Sequence, residues 1–127
     1  MKENIDVIKD NYVSIERLKQ IKEIYDKREG RKYPYSNQII VCGIVTEDRN
    51  LAINFMKDKN VVEKFEGRNE IKWLLDNGEY WVWKHWNENC RGQRFYKLAI
   101  DRLTDRDLFE YVILPSCGVY CCSVEII

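Results

Sequence analysis

Three aspartates lie close together late in the chain, Asp101, Asp105 and Asp107, with Arg102 and Arg106 between them. Carboxylates grouped in this way can hold Mg²⁺ and serve a metal-dependent hydrolase. Thr104, Asp105 and Asp107 equally suit the first turn of a helix, where free backbone amides favour negative charge. Carboxylates alone do not fix an octahedral site, so no metal is expected there. His85 is the one histidine. As a general base it would need a nucleophile or an oriented water beside it. Cys117, Cys121 and Cys122, with Cys90 and His85 upstream, are ligand types that zinc accepts. Their spacing is not that of a zinc knuckle, and adjacent Cys121 and Cys122 on a strand point to opposite faces. Core or incidental thiols, with no metal or cofactor, are therefore expected.

A different chemistry is offered by Arg91, Arg94 and Lys97, close in sequence to Trp81, Trp83 and Trp86. Aromatic rings beside guanidinium groups hold single-stranded nucleic acid by stacking and charge. Trp, Tyr and Arg also anchor protein interfaces, and buried aromatics fill the cores of small domains. Charge bears on the choice. Lys and Arg total 21 and Asp and Glu total 21, a formal net charge of +0. A protein that coats nucleic acid has an excess of basic residues, because phosphate contacts supply much of its affinity. The balance favours protein recognition and leaves a nucleic-acid or nucleotide-binding module as the alternative.

These residues need a scaffold, and the hydrophobic pattern supplies one. Leu18, Ile21 and Tyr25, with Ile24 widening the stripe, predict a helix over 14–29. Ser14 is its cap, Val13 a staple residue, Glu23–Lys27 an exposed pair and Gly30 the stop. A polar connection, 31–37, leads to the apolar run 39–45, which predicts a central strand buried on both faces. Asp48 then caps a helix carrying Leu51, Ala52, Phe55 and Met56, the first half of a βαβ unit.

Segments 70–75 and 80–84 flank Asn77-Gly78, the dipeptide most typical of a two-residue hairpin turn. That turn would set Leu75 opposite Tyr80, Trp73 opposite Val82, Leu74 opposite Trp81 and Lys72 opposite Trp83. Aromatics would then lie on both faces of the hairpin. A polar loop over 87–94 leads to a strand over 95–100. Thr104 opens a helix with Leu108, Phe109 and Val112 that Pro115 closes, and 119–127 forms a last strand.

The 127 residues suffice for one compact domain. Hydrophobic residues make up 45%, while Pro numbers only 2 and Gly 6, which excludes a disordered chain. We expect a single α/β domain (or α+β) over 14–127, with a mixed sheet, a Trp-rich hairpin and a covering N-terminal helix. Residues 1–13 would be a flexible or short N-terminal segment. No apolar run is long enough for a membrane span, and the charged start lacks a signal peptide's apolar stretch. The expected setting is the cytoplasm, where five cysteines, an odd count, stay reduced.

The order of these elements, with Arg91-Gly92 before a strand ending in Asp101, resembles the middle of the P-loop ATPase core of phage large terminase subunits. The resemblance spans roughly residues 38 to 114. It implies that Asp101 matches the metal-side aspartate and Arg91-Gly92 the loop before the acidic strand. The sequence departs from that family in two places. It has no G-x-x-x-x-G-K-[ST] loop, and Arg102 stands where the family has a catalytic Glu, so ATP hydrolysis is not implied. The reading is a non-catalytic module, an inhibitor or adaptor of phage or mobile-element type, that occludes a larger enzyme or assembly. Trp81, Trp83 and Trp86 would form the contact, rimmed by Arg91 and Arg94. A homodimer through an edge strand or aromatic patch is compatible with it.

Overall fold

The computed structural model describes residues 11–28, 40–90 and 93–127. Its centre is a six-stranded mixed sheet. In chain order the elements are α1 (Ile15–Asp26), β1 (Ile40–Val45), α2 (Arg49–Met56), β2 (Val61–Glu66), β3 (Glu70–Leu75), β4 (Tyr80–Lys84) and β5 (Arg94–Ile100). A helical stretch over 106–117, α3, and the short strand β6 (Val124–Ile126) complete the domain. The sheet order is β2-β3-β4-β1-β5-β6. β1 runs parallel to β4 and β5, β6 runs parallel to β5, and β2-β3-β4 form an antiparallel meander.

α1 begins where the sequence places it. The Ser14 hydroxyl accepts from the Arg17 amide at 3.1 Å, and Leu18, Ile21 and Tyr25 are buried. Ile24 does not widen the stripe; at 53% exposure it faces water. The expected Gly30 stop, the 31–37 connection, Ile39 and residues 1–10 lie outside the described residues. Val13 is buried and its amide donates to the Thr104 carbonyl at 3.0 Å, while Tyr12 bridges Asp105. The folded unit therefore includes residues 12 and 13, ahead of the expected boundary at 14.

β1 is central and apolar on both faces, as its β-branched run predicts. Val41 and Val45 enter one layer with α1 and α3; Cys42 and Ile44 enter the other beneath α2. Gly43 sits where a Cβ would lie 2.2 Å from the Phe95 ring, so the strand needs glycine there to let β5 approach. Asp48 caps α2 by accepting from the Asn50 and Leu51 amides at 3.0 and 3.3 Å. The βαβ expectation is met only after a detour. The chain leaves α2 for β2 and β3, and returns parallel to β1 as β4.

The hairpin register differs by one residue from the expected one. The observed pairs are Leu74–Tyr80, Trp73–Trp81, Lys72–Val82 and Ile71–Trp83. The turn has three residues, Asp76, Asn77 and Gly78. It is closed by Leu75 N–H to Glu79 C=O at 2.9 Å and Gly78 N–H to Leu75 C=O at 3.0 Å. Gly78 takes φ of 89°, and Asn77 Oδ1 accepts from the Glu79 amide at 2.9 Å. This is a type I turn followed by a left-handed glycine, which adds one residue to the loop and slides the partner strand. Ile71, Trp73, Leu75, Trp81 and Trp83 consequently share one face, under α2. The three indoles of the hairpin are gathered on that side, while Tyr80, paired with Leu74, stands on the other.

α3 starts at Asp105, not Thr104. The Asp105 carboxylate accepts from the Leu108 amide at 2.9 Å, whereas the buried Thr104 hydroxyl donates to the Asp101 carbonyl at 2.6 Å. The helix widens to a π turn over Phe109–Ile113 and continues through Pro115 to Cys117, so proline does not close it. Arg17 on α1 clasps Glu110 on α3 with two bonds, at 2.9 and 3.2 Å. The tail is strand only over Val124–Ile126, not over 119–127.

Candidate functional site

The indoles expected to form an exposed recognition face are inside the protein. Trp81, Trp83 and Trp86 are 2%, 2% and 5% exposed. Each N–H is used internally: Trp81 donates to Glu79 at 3.1 Å, Trp83 to the Thr46 carbonyl at 2.9 Å and Trp86 to the Ile44 carbonyl at 2.8 Å. A buried indole with its donor satisfied is a core residue. Trp83 and Trp86 tie β4 and the chain after it to β1, Trp81 bonds within its own hairpin, and none of the three offers a partner a surface.

The basic candidates do not converge. Arg91 lies outside the described residues. Arg94 is half-buried, donates to the neighbouring Gln93 carbonyl at 3.0 Å, and runs past Gly118. Lys97 faces the other way and pairs with buried Glu79 at 2.7 Å. Burial works against its ammonium, but the Glu79 carboxylate outweighs that and holds the Lys97 pKa above its ordinary value. The same carboxylate bonds Trp81, so Lys97 balances a structural charge.

The acidic candidates separate as well. Asp101 and Asp105 line an open cleft of about 290 Å³ with Thr46, Glu47, Asp48 and Lys84. Asp107 lines a different hollow beside Tyr111. The cleft lies beyond the C-terminal ends of β1 and β5. The chain leaves β1 toward the α2 face and leaves β5 toward the α3 face, so this is the switch point where open α/β sheets commonly hold ligands.

Its carboxylates are nevertheless engaged by the protein. Asp101 takes the Thr46 hydroxyl at 2.5 Å and the Leu103 amide at 2.9 Å. Thr46 Oγ in turn accepts from the Asp48 amide at 3.0 Å. Asp48 and Asp105 cap helices. His85, at the rim, meets exposed Glu47 at 3.2 Å and touches no candidate nucleophile among the described contacts. The cleft thus has the position of a ligand site but spends Asp101 on joining β1 to β5 and Asp48 and Asp105 on capping helices.

Cys121 and Cys122 do face opposite layers, and among the described residues no three Cys, His, Asp or Glu side chains converge as metal ligands. Cys117 and Cys121 share a hydrogen bond. That bond raises the Cys117 thiol well above its ordinary pKa and lowers Cys121. Both are fully buried core groups.

What remains on the surface is an element the sequence reading did not pick out. β2 forms one edge of the sheet, and all six of its residues are exposed. Val62 is 59% exposed and Phe65 57%. The other edge, β6, is three residues long. A bulge falls between Val61 and Glu63, after which the ladder with β3 is regular. Gly67 N–H donates to the Glu70 carbonyl at 2.8 Å. Alternation then turns the Phe65 amide inward, and the amides and carbonyls of Lys64 and Glu66 outward, with no neighbouring strand among the described residues.

Lys64 and Glu66 share the face of Trp73 and Ile71, whereas Phe65 lies opposite, beside Lys72, Leu74 and Tyr80 along a shallow groove. Lys64 Nζ is 2.6 Å from Glu66 Oε1, and that contact holds the Glu66 carboxyl below its usual range. The signal in the sequence is turn chemistry. Gly67-Arg68-Asn69 is a second short hairpin loop immediately before β3, and it implies a strand on its other side. No protein-family model matches the chain, and no curated protein or solved structure matches it either.

Proposed function

We propose that this chain is a non-catalytic protein-interaction module of the cytoplasm, and that it binds a partner protein by adding a partner strand to β2. The observation that carries this reading is the β2 edge, with outward backbone groups at Lys64 and Glu66 and exposed Val62 and Phe65. Backbone pairing supplies affinity in such complexes, and side-chain contacts along the strand supply selectivity. An inhibitor or adaptor of a larger assembly, of the phage type that the terminase resemblance implied, is the role this surface suits. The buried indoles and the engaged carboxylates favour it over the nucleic-acid and hydrolase alternatives.

The test compares wild type with the double substitution Val62→Lys and Phe65→Lys as baits in extracts of the native or infected host. Hydrogen exchange is then measured on the recovered complex. The reading expects a stoichiometric partner held by wild type and lost by the variant, with slowed exchange at Lys64 and Glu66. Equal capture by both baits, or unchanged exchange at those amides, would refute it.

A further inference from the structure

We infer that in the absence of such a partner the β2 edge pairs with β2 of a second copy of this chain, antiparallel and centred on Phe65. The inference rests on the proposal that β2 is the binding edge, and it names the occupant. Two copies related by a two-fold axis normal to the sheet must be centred on one residue, because facing side chains have to lie on the same face. Each possible centre has a different electrostatic consequence. A pair centred on Glu63 sets Glu63 against its own copy. Centring on Lys64 or Glu66 likewise opposes like charges, which is destabilising across a ladder. Val62 sits at the bulge, where the ladder is interrupted.

Along the regular ladder, Glu63–Glu66, Phe65 is the centre without a clash. It sets the two Phe65 rings opposite each other. Lys64 of each copy then faces Glu66 of the other, and the four charges alternate around the axis. Within one copy Lys64 and Glu66 already share a face, 2.6 Å apart at their charged ends, so both are placed on the side where the facing pair would form. The backbone agrees with this centre. The outward groups of Lys64 and Glu66 would bond across the new ladder, and inward-turned Phe65 would form the non-hydrogen-bonded pair, where side chains approach most closely. The Phe65 rings would extend the apolar strip of Leu74 and Tyr80 across the junction.

Single cysteines read the register directly. Residues facing each other in a non-hydrogen-bonded pair have Cα atoms about 4.5 Å apart, inside the roughly 4.4–6.8 Å span of a disulfide. Phe65→Cys, Lys64→Cys and Glu63→Cys are oxidised in parallel, with wild type as the blank for the native thiols. The expected result is a covalent dimer from Phe65→Cys and none from the other two. Sedimentation of Lys64→Glu should show dimerisation weakened about tenfold, restored when Glu66→Lys is added.

A cross-link strongest at Glu63 or Lys64, no cross-link at any position, or a wild type that sediments as a monomer would overturn the inference. The two proposals fail separately. A monomeric wild type whose partner is lost on Val62→Lys and Phe65→Lys removes self-pairing alone. A Phe65-linked dimer whose partner capture ignores the edge variant removes the partner proposal alone.

Discussion

Replacing Gly43 by alanine sets two effects of opposite sign against each other. Glycine inside a strand costs about 0.5–1 kcal/mol relative to alanine, through the freedom it loses on folding. On that ground alone Gly43→Ala would stabilise the protein. The added Cβ, however, would lie 2.2 Å from Phe95 Cε1, 2.6 Å from Cδ1 and 3.1 Å from Cζ. The ring has little room to withdraw: Phe95 is 1% exposed and stands edge-on to Trp86, with centroids 5.0 Å apart. Trp86 is itself tied to the Ile44 carbonyl. Overpacking of this kind costs about 1–3 kcal/mol, so it outweighs the backbone gain.

The expected net loss is about 1–2 kcal/mol. In a chain of this length that is a fall in Tm of roughly 3–8 °C. Thermal and urea unfolding of Gly43→Ala, Phe95→Leu and the double variant measure it as a cycle. Phe95→Leu should cost stability alone, yet recover part of the Gly43→Ala loss in combination. A neutral or stabilised Gly43→Ala, or strictly additive losses, would refute the claim that β5 approaches β1 through the space this glycine leaves.

Asp101→Asn should destabilise the fold by about 1–3 kcal/mol in urea unfolding, since either amide orientation deprives the Thr46 hydroxyl or the Leu103 amide of its acceptor. Unchanged stability would reopen the hydrolase alternative for that carboxylate. Steady-state fluorescence should show a blue-shifted spectrum that iodide quenches weakly, because Trp73, Trp81, Trp83 and Trp86 are all 5% exposed or less. A strongly quenched population would return an indole to the surface. Gly78→Ala should cost about 1 kcal/mol or more, because φ of 89° is strained for a residue with a Cβ; a neutral result would mean that the three-residue turn is wrong.

The parts of the fold legible in the sequence are those where a single local force decides. The central strand shows in the β-branched run of Val41, Ile44 and Val45, and the starts of α1 and α2 show in Ser14 and Asp48, whose side chains find their amides as capping predicts. The hairpin position was legible at Asn77-Gly78, but its register was not. Asn77 and Gly78 suit both the two-residue turn and the longer turn that forms, and the choice rests on how Trp73 and Trp81 fit under α2. Thr104 and Asp105 are both good caps, and Thr104 was claimed by the Asp101 carbonyl.

The candidate site misled for a related reason. Tryptophan and arginine beside one another fit a recognition surface and a core equally well until burial is known, and here each indole found a carbonyl or carboxylate inside the sheet. β2 escaped notice because Val-Val-Glu-Lys-Phe-Glu follows no burial pattern, and among the described residues nothing buries either face of it. That property is the one on which the proposed binding edge rests. A strand selected for its own core alternates cleanly. One that keeps Phe65 in water, between a lysine and a glutamate, would complete its pattern if the proposed second strand paired with it across a two-fold axis.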